Sequence, residues 1–389
     1  MSQSDIVVCG SGIVGLACAL ALARRGQSVS LLGPRVPVPP AGALYHPRVY
    51  AISAASQRFL AGLGVWDSLP AARMAEVQAM DVRGDAGGQV VLHAWQGTRA
   101  QLAWIMESGE IERVLAQAVQ IYGIPWRDER CVGVENGELL TESGVRLRPA
   151  LTVAADGAQS RLRGAAGVAV RSRSYEAVGL VTHLDAQRPH GGTAYQWFRE
   201  DGVLALLPMP DTEQGPQVSM VWSMKTPLAR ALQGLPAEAQ TQALIEKLGA
   251  ATGGVLGALR PRQPMHGFDL TLATTDMIGE RFALVGDAAH RLHPLAGQGL
   301  NLGLSDVEAL VQAVAGRESY RSAGDPQVLR RYRRARAEPV FAMKFATDGL
   351  HRLFDTPAAP VAWLRNTGMQ VIERLPFVKR QLIARASES

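Results

Sequence analysis

The segment DIVVCGSGIVGLACALALARR, residues 5–25, decides the fold. It opens with a short, mainly apolar and β-branched run, continues with GSGIVG from Gly10 to Gly15, and ends with apolar residues at helical spacing. This order predicts a strand, a glycine turn and a helix. A second apolar run at residues 28–32 completes a βαβ unit. We therefore predict a parallel, doubly wound sheet of the Rossmann type.

The glycine turn has the residues that a dinucleotide diphosphate requires. Glycine lets the backbone approach the diphosphate closely, and the N-terminus of the following helix offers unpaired N–H donors and a partial positive charge. Gly10, Gly12 and Gly15 hold the three places of the pattern GxGxxG. The flanking strand and helix supply the context that the motif needs, so we predict dinucleotide binding here. A tight turn that binds no ligand is the alternative.

One residue of the usual pattern is missing. The second strand ordinarily ends on an acidic residue that binds the adenosine ribose, whereas here Leu32 is followed by Gly33. The ribose must therefore be held in another way. Arg35 either approaches the adenosine end of the nucleotide or faces solvent.

Two further motifs follow apolar runs that are typical of buried strands. Asp156 and Gly157 come directly after one such run, where the carboxylate either binds a ribose or caps an Asx turn. Gly286 and Asp287 follow another, and the carboxylate of Asp287 is suited to accept hydrogen bonds from sugar or ribityl hydroxyls. Both motifs predict contacts with a nucleotide ligand.

A glycine-rich turn after the last of these motifs opens an amphipathic helix. Its N–H groups are suited to face an electron-rich ring edge. The candidate residues of this turn are Pro294, Gly297, Gly299, Leu300 and Asn301.

The middle of the chain differs in character from its ends. Residues 178–222 show mainly strand patterns, which predict an antiparallel sheet inserted into the α/β unit. Large apolar residues of this segment either line a substrate pocket or form an ordinary sheet core; they are Trp197, Phe198, Met209, Met220, Trp222 and Met224.

Composition excludes several classes of protein. The 389 residues are 47% hydrophobic and 19% charged, which rules out a disordered or fibrous chain. The net charge of +5 is spread along the chain, so we predict no nucleic-acid partner, and we assign no metal site. Three cysteines, an odd number, fit a reducing cytosol. No apolar run reaches the roughly 18 residues of a membrane span, so any membrane contact should be peripheral.

The C-terminal part is predicted to be helical and is rich in arginine. Residues 327–389 are predicted as helices punctuated by prolines, among them Pro339. The arginines at 330–336 either form a solvated helix face or contact acidic phospholipid or an acidic partner protein. Residues 361–386 either dock on a membrane surface or pack as an ordinary amphipathic tail.

The three motifs, in this order and at these distances, resemble the class A flavoprotein monooxygenases, and within them the ubiquinone-biosynthesis hydroxylase family. The narrower resemblance rests on GDAAHRLHPLAGQGLNLGLSD at 286–306, RVYAISAASQRFLAGLGVW at 48–66 and LAWIMES at 102–108. It extends from residue 5 to about residue 336 and so covers most of the chain.

This resemblance implies FAD bound along the first domain. It places the three glycines of the first turn at the diphosphate, Gly286 and Asp287 near the ribityl–diphosphate, and the turn from Gly297 to Asn301 by the isoalloxazine. It implies that Asp156 and Gly157 serve both FAD and a reduced nicotinamide. The resemblance also implies that two arginines lie in the FAD neighbourhood; they are Arg48 and Arg113.

The fold implied is α/β, α+β overall, with a Rossmann-like FAD-binding domain, an inserted, mainly antiparallel β-sheet substrate domain and C-terminal helices. We expect the FAD-binding domain to be discontinuous and the C-terminal region to begin after it. The predicted bounds are 1–72, 98–176 and 268–336 for the FAD-binding domain, 73–97 and 177–267 for the substrate domain, and 337–389 for the C-terminal region.

The function implied is hydroxylation of the aromatic ring of a polyprenyl-phenol or polyprenyl-quinol in ubiquinone biosynthesis. FAD would be the bound cofactor, NADH or NADPH a transient reductant, and dioxygen the second substrate. This chemistry needs no dedicated acid or base, so we assign no catalytic residue, and His290 is either a packed neighbour of the flavin or a proton carrier. We expect a cytoplasmic protein, in peripheral contact with the inner face of the membrane or part of a biosynthetic complex. The alternatives are a monooxygenase of a small soluble aromatic and a non-catalytic FAD-binding scaffold.

Overall fold

A computed structural model gives the structure of the chain. It describes residues 5–35, 45–85, 87–135, 137–292, 298–355, 369–370 and 372–388.

The described elements alternate between strands and helices over the first third of the chain and are mainly strands in the middle. The strands, numbered β1 to β21, are Ile6–Cys9, Val29–Leu32, Val49–Ile52, Met74–Val77, Ala79–Arg83, Gln89–His93, Ala103–Glu107, Trp126–Arg127, Cys131–Glu135, Glu138–Thr141, Arg146–Leu147, Leu151–Ala154, Val170–Ala186, Thr193–Arg199, Gly202–Thr212, Gly215–Lys225, Leu259–Pro261, His266–Thr275, Ile278–Gly279, Phe282–Leu284 and His290–Arg291. The helices, numbered α1 to α9, are Ile13–Arg24, Ala54–Gly62, Ser108–Ile121, Arg161–Ala165, Thr226–Gln233, Ala237–Thr252, Gly299–Ala315, Pro326–Asp355 and Pro376–Glu388.

The predicted doubly wound sheet is confirmed. Six strands run in the order β19-β20-β12-β1-β2-β8, and every pair except β19–β20 is parallel. Helix α1 is buried along almost its whole length because α3 and α7 both pack against it. Strands β1, β12 and β20 therefore end at one edge of the sheet, which brings the three sequence motifs together.

The inserted antiparallel sheet is also confirmed. Nine strands form it, in the order β21-β18-β13-β16-β15-β14-β5-β6 with β17 beside β13, and only β14 and β5 pair in parallel. One face packs against α5 and α6 through Leu232, Leu244 and Leu248. Met220, Trp222 and Met224 belong to this core, so the second of their two interpretations, an ordinary sheet core, is confirmed. Trp197 packs into the same core.

A small third sheet, in the order β3-β7-β4, connects the two large ones. Met209, a predicted pocket residue, packs against this small sheet through Ala75, Val77 and Ile105. Strands β13 and β18 each run across a predicted domain boundary, at 176/177 and 267/268 respectively. The domain division remains a prediction.

The C-terminal helices differ from the prediction at Pro339. Helix α8 is 30 residues long and continues through this proline. Proline removes one N–H from the helical ladder, and the carbonyl that is left without a partner lies on Ala335, where both residues are exposed and water can replace the bond. Among the residues described, no helix is both long and apolar enough to cross a membrane.

Candidate functional site

The first glycine turn lies directly against the ADG motif, which consists of Ala155, Asp156 and Gly157. Gly10 follows β1 with a φ of +121°, and its N–H donates to the Leu32 carbonyl at 2.8 Å. A Cβ at Gly10 would lie 2.2 Å from the Ala155 carbonyl oxygen, and a Cβ at Gly15 would lie 1.9 Å from the Gly10 carbonyl oxygen. Both glycines are therefore required by contacts within the protein.

Gly12 is different, because none of the described residues requires glycine there. Its φ of −78° suits any residue, and no atom of the described residues would come within 4 Å of a Cβ built at this position. It is the N-cap of α1, and no side chain caps the helix. The open space at the positive end of a helix is what a diphosphate needs, so this turn fits the diphosphate of FAD.

The GD motif, which consists of Gly286 and Asp287, packs against the same helix, α1. Gly286 adopts a φ of +60°, and a Cβ at Gly303 of α7 would lie 3.0 Å from Val14 Cγ2 and 3.1 Å from Gly286 Cα. Glycine at both positions lets the start of α1, the GD turn and α7 meet in one place. Asp287, the other residue of the motif, is exposed at this turn.

Arg163 connects the second and third motifs, a role that sequence reasoning missed. Its guanidinium donates to the Ala288 carbonyl at 2.9 Å and to the Ala158 carbonyl at 3.1 Å. Ser160 caps α4 and accepts from the Arg163 N–H at 3.0 Å, which fixes the start of the arginine side chain. An arginine three residues after a helix cap was visible in the sequence, but its partners were not.

Asp156 fills one of the two roles considered from the sequence, that of a cap, and the other role, binding of a ribose, stays a prediction. One carboxylate oxygen accepts from the Leu162 N–H at 3.3 Å and so caps the turn before α4. The other oxygen is buried and has no hydrogen-bond partner among the described residues. This unused acceptor fits a ligand hydroxyl. The neighbouring Gly157 has a φ of +82°, which turns the chain away from the strand.

A second feature missed from the sequence is a buried charge cluster beneath the GD motif. Asp306 of α7 is fully buried and accepts hydrogen bonds from the Gly286 N–H at 2.9 Å, His290 Nε2 at 2.7 Å and Arg336 Nε at 2.7 Å. Arg336 comes from α8, so this helix holds the turn at Gly286 in place. The histidine is thus packed and bonded to a carboxylate, and its role toward the flavin stays a prediction.

The start of α7 contains the remaining candidates. Asn301 is fully buried, where its side chain accepts from the Ser53 N–H at 3.0 Å and donates to the Ala51 carbonyl at 2.8 Å. Its side chain therefore ties α7 to β3 and leaves only its backbone for a ligand. Leu300 is buried and Gly299 is exposed, whereas Pro294 and Gly297 lie outside the described residues.

Arg48 faces Asp287 and Glu112, so the first of the two candidate arginines lies beside the GD motif. The phenol of Tyr50, followed by the carboxylates of Asp287 and Glu112, raises the pKa of Arg48, while burial opposes them. Burial raises the pKa of Tyr50, with Arg48 opposing it. Arg113 instead forms an ion pair with Glu110, one turn earlier in α3, at 2.8 Å.

The position of the missing ribose acid is occupied by a close backbone contact. A Cβ at Gly33 would lie 3.0 Å from Ser11 Oγ, and that hydroxyl donates to the Pro34 carbonyl at 2.5 Å. Arg35 is exposed, with its guanidinium over the Trp126 ring at 4.8 Å. Glycine at position 33 therefore leaves the space that the Ser11 side chain occupies.

Comparison with known proteins identifies the family. The model of the FAD binding domain family matches residues 3–344. The chain is 34% identical over 397 residues to a protein of Rhodospirillum rubrum named ubiquinone hydroxylase UbiL, with 98% of this chain and 89% of that one covered. It is 32% identical over 395 residues to the 3-demethoxyubiquinol 3-hydroxylase of Escherichia coli, with 98% and 97% covered. The crystal structure of p-nitrophenol 4-monooxygenase PnpA from Pseudomonas putida DLL-E4 has a TM-score of 0.78 at 17% identity, covers 99% of this chain and 98% of that one, and shows the shared fold.

Proposed function

The chain belongs to the FAD binding domain family and, within it, to the class A FAD-dependent hydroxylases of ubiquinone biosynthesis, and from this premise we propose its reaction. It hydroxylates the aromatic ring of a polyprenyl-phenol or polyprenyl-quinol intermediate. The co-substrates are dioxygen and NADH or NADPH, and FAD is the bound cofactor. No metal enters this proposal.

The residues of the cofactor site would share the work of holding FAD. The open turn at Gly12 and the start of α1 would receive the diphosphate, while the unused oxygen of Asp156 and the exposed carboxylate of Asp287 would accept hydroxyls. When bound, FAD supplies the acceptance of hydride and the activation of dioxygen. The protein supplies orientation, because Arg163 and Asp306 fix the turns before any ligand arrives.

The observation that carries the proposal is the convergence of three motifs at one sheet edge around an open glycine. Gly10 lies against Ala155 and Gly303 against Gly286, whereas no atom of the described residues would lie within 4 Å of a Cβ at Gly12. Together with similarity over nearly the whole length of the ubiquinone hydroxylases, this supports FAD chemistry on a related ring.

The test is turnover with isotopically labelled dioxygen. The FAD-loaded protein is given NADPH or NADH and either a detergent-solubilised prenylated phenol or the same phenol without its prenyl chain. We expect one labelled oxygen atom in the prenylated product and little reaction with the short phenol. Equal turnover of the short phenol would favour a monooxygenase of soluble aromatics, and no labelled product from either would favour a non-catalytic scaffold.

We also propose that the protein contacts an anionic membrane surface, since its substrate is a lipid. The surface concerned, the α9 surface, consists of Trp95, Leu375, Phe377 and Leu382. These side chains are exposed by 70%, 45%, 70% and 41% respectively. Helix α9 is fixed beside Trp95 because Lys379 donates to the Val91 carbonyl at 2.9 Å. Arg380 on the same helix and Arg374, two residues before its start, are exposed and suit anionic headgroups.

Sedimentation with vesicles that contain phosphatidylglycerol tests this contact. We expect the wild-type protein to sediment and the variant Trp95→Ser/Phe377→Ser to remain in solution. Ile121→Ser is the matched control, because Ile121 is 79% exposed on α3, outside the α9 surface. Equal sedimentation of wild type and double variant would refute the contact, and a wild type that never sediments would assign the surface to a protein partner of a biosynthetic complex.

A further inference from the structure

Three buried polar side chains on the nine-stranded sheet each have at least one hydrogen-bonding atom without a partner among the described residues. We call them the polar patch: His183 on β13 and Gln217 and Ser219 on β16. Their exposed fractions are 1%, 0% and 0%. Within the described part of the chain, no partner contacts His183 Nδ1, Ser219 Oγ or either amide atom of Gln217. Buried polar groups are ordinarily satisfied, so four unused atoms in one place need an explanation.

Strand register puts the three side chains on one face. His183 lies directly opposite Ser219, and Gln217, two residues along β16, lies opposite Asp185. Residues that oppose each other across an antiparallel pair, or alternate along one strand, point to the same side. The intervening Leu184 and Val218 belong to the core formed with α5 and α6. The polar patch therefore faces away from that core.

The side that the polar patch faces is the side of the small sheet and the cofactor site. On β15, Leu207 lies opposite Ser219 and Met209 lies opposite Gln217. Both belong to the apolar cluster that includes Val77 and Ile105 of the small sheet. The polar patch is thus bordered by apolar side chains on the β15 side and by the Asp185–Arg262 ion pair on the β13 side, a mixture that suits a ring that carries oxygen substituents on an apolar frame.

The hydrogen-bonding role of His183 is fixed by its other nitrogen. His183 Nε2 lies 2.9 Å from the His46 carbonyl oxygen, and because a carbonyl can only accept, Nε2 carries the proton. In the neutral ring Nδ1 is then an acceptor without a proton. The carbonyl that orients the ring belongs to His46, three positions before β3 of the small sheet. Asn301 at the start of α7 donates to the Ala51 carbonyl of β3, so the polar patch and the α7 end of the cofactor site adjoin the same small sheet.

We propose that the polar patch binds the oxygen substituents of the substrate ring, with a ring hydroxyl donating to His183 Nδ1. Ser219 and Gln217 provide both donors and acceptors for an adjacent hydroxyl, methoxy or carbonyl oxygen. A hydroxyl that donates to His183 also leaves more electron density on the ring, which favours attack by the ring on an electrophilic oxygen. This inference deepens the proposed function and rests on it.

The experiment uses two variants of the polar patch and one matched control. His183→Gln keeps an amide N–H for the His46 carbonyl but has no acceptor at the Nδ1 position, and Ser219→Ala removes one oxygen. Thr182→Val is the control, because Thr182 lies next to His183 on the opposite face and its hydroxyl donates to the Gln263 carbonyl at 2.8 Å. For each FAD-loaded protein we would measure the thermal midpoint, the FAD affinity and the concentration of prenylated phenol that half-saturates the acceleration of anaerobic flavin bleaching by NADPH.

Variants of the polar patch should lose substrate affinity without losing thermal stability. We expect the half-saturating concentration to rise about tenfold or more in His183→Gln and about threefold in Ser219→Ala, because each loses a hydrogen bond to the substrate. Their thermal midpoints should equal or exceed that of the wild type, since neither loses a bond within the protein. Thr182→Val should show the reverse, a lower midpoint with an unchanged half-saturating concentration.

A second ligand makes the test specific to the ring hydroxyl. The O-methyl ether of the same prenylated phenol cannot donate to His183, so the wild type should bind it about tenfold more weakly than the phenol, whereas His183→Gln should not distinguish the two. If the variants had the same half-saturating phenol concentration as the wild type, the inference would be overturned. The polar patch would then be a cluster that hydrogen-bonds to water and not to the substrate. If His183→Gln does not fold, Ser219→Ala decides. If no prenylated phenol accelerates bleaching in the wild type, the proposed function itself fails.

Discussion

Buried polar groups are satisfied to different degrees around the glycine motifs and on the nine-stranded sheet. Around the cofactor motifs, Asp306 bonds to three partners and Asn301 to both strand and helix. On the nine-stranded sheet, His183 Nδ1, Ser219 Oγ and both amide atoms of Gln217 have no partner among the described residues. The contacts of the first region are therefore made before a ligand binds, whereas in our proposal the second region completes its hydrogen bonds with the substrate.

The largest expected effect distinguishes two glycines of one turn. Gly10→Ala would place a Cβ 2.2 Å from the Ala155 carbonyl oxygen at a φ of +121°, so we expect a loss of at least about 3 kcal/mol in unfolding free energy, or no folded protein. Gly12→Ala has open space and should change stability by less than about 0.5 kcal/mol. It should nevertheless weaken FAD binding about tenfold, measured by fluorescence titration, because the methyl group occupies the diphosphate space. If Gly12→Ala bound FAD with the wild-type affinity, the diphosphate would not lie at this turn.

The charge cluster beneath the GD motif gives the next largest effect. Arg336→Met leaves the buried Asp306 carboxylate without its cation, which should cost about 3–5 kcal/mol. Arg334→Met, an exposed position on the same helix, should cost less than about 0.5 kcal/mol. Urea unfolding of both variants measures the difference. Similar midpoints for the two would mean that α8 does not hold the cofactor turn.

Arg163 should affect cofactor affinity more than stability. Arg163→Met loses the bonds to the Ala288 and Ala158 carbonyls that join two motifs, and we expect FAD to bind about tenfold more weakly, or roughly 1.4 kcal/mol. Arg161→Met is the control, because Arg161 is exposed on the same short helix. Equal FAD affinities in a titration of the two variants would contradict the bridging role.

The smallest effect concerns the pH dependence of stability. Burial lowers the pKa of His183 below its usual value; the His46 backbone opposes this, and the charges of His46 and Arg262 add to it. The unfolded residue gains a proton near pH 6.5 while the folded one resists, so the stability that it contributes is complete above about pH 6.5 and is lost as the pH falls toward the folded pKa. The thermal midpoint of His183→Gln should therefore decline less than that of the wild type between about pH 7.5 and pH 5. Parallel declines would contradict a lowered pKa of His183 in the folded protein.

The cofactor motifs could be recognised in the sequence because each is contiguous and follows a short apolar run. The strand–turn–helix pattern places Gly10 and Gly15 close together without knowledge of the remaining fold, whereas their contact with Ala155 depends on that fold. The missing acid at Gly33 was equally visible. Its structural counterpart, Ser11, lay unnoticed inside the motif, because only the fold brings its hydroxyl to Pro34.

The polar patch and the charge cluster could not be predicted, because both depend on contacts between distant segments. Strand β13 is buried on both faces near His183, so an alternating pattern does not reveal which face meets the ligand. For the same reason Met220 and Trp222 appeared suitable for a pocket, although the register turns them toward α5 and α6. Arg336 stood in an arginine-rich stretch whose other members are mostly exposed, and nothing local distinguishes it.

The most direct test of the account is the rate at which NADPH bleaches the flavin of the purified, FAD-loaded protein without oxygen, with and without a prenylated phenol. The account predicts a bound flavin spectrum and faster bleaching when the phenol is present, saturating with phenol concentration. A protein that cannot be loaded with FAD, or one whose bleaching rate the phenol leaves unchanged, would contradict it.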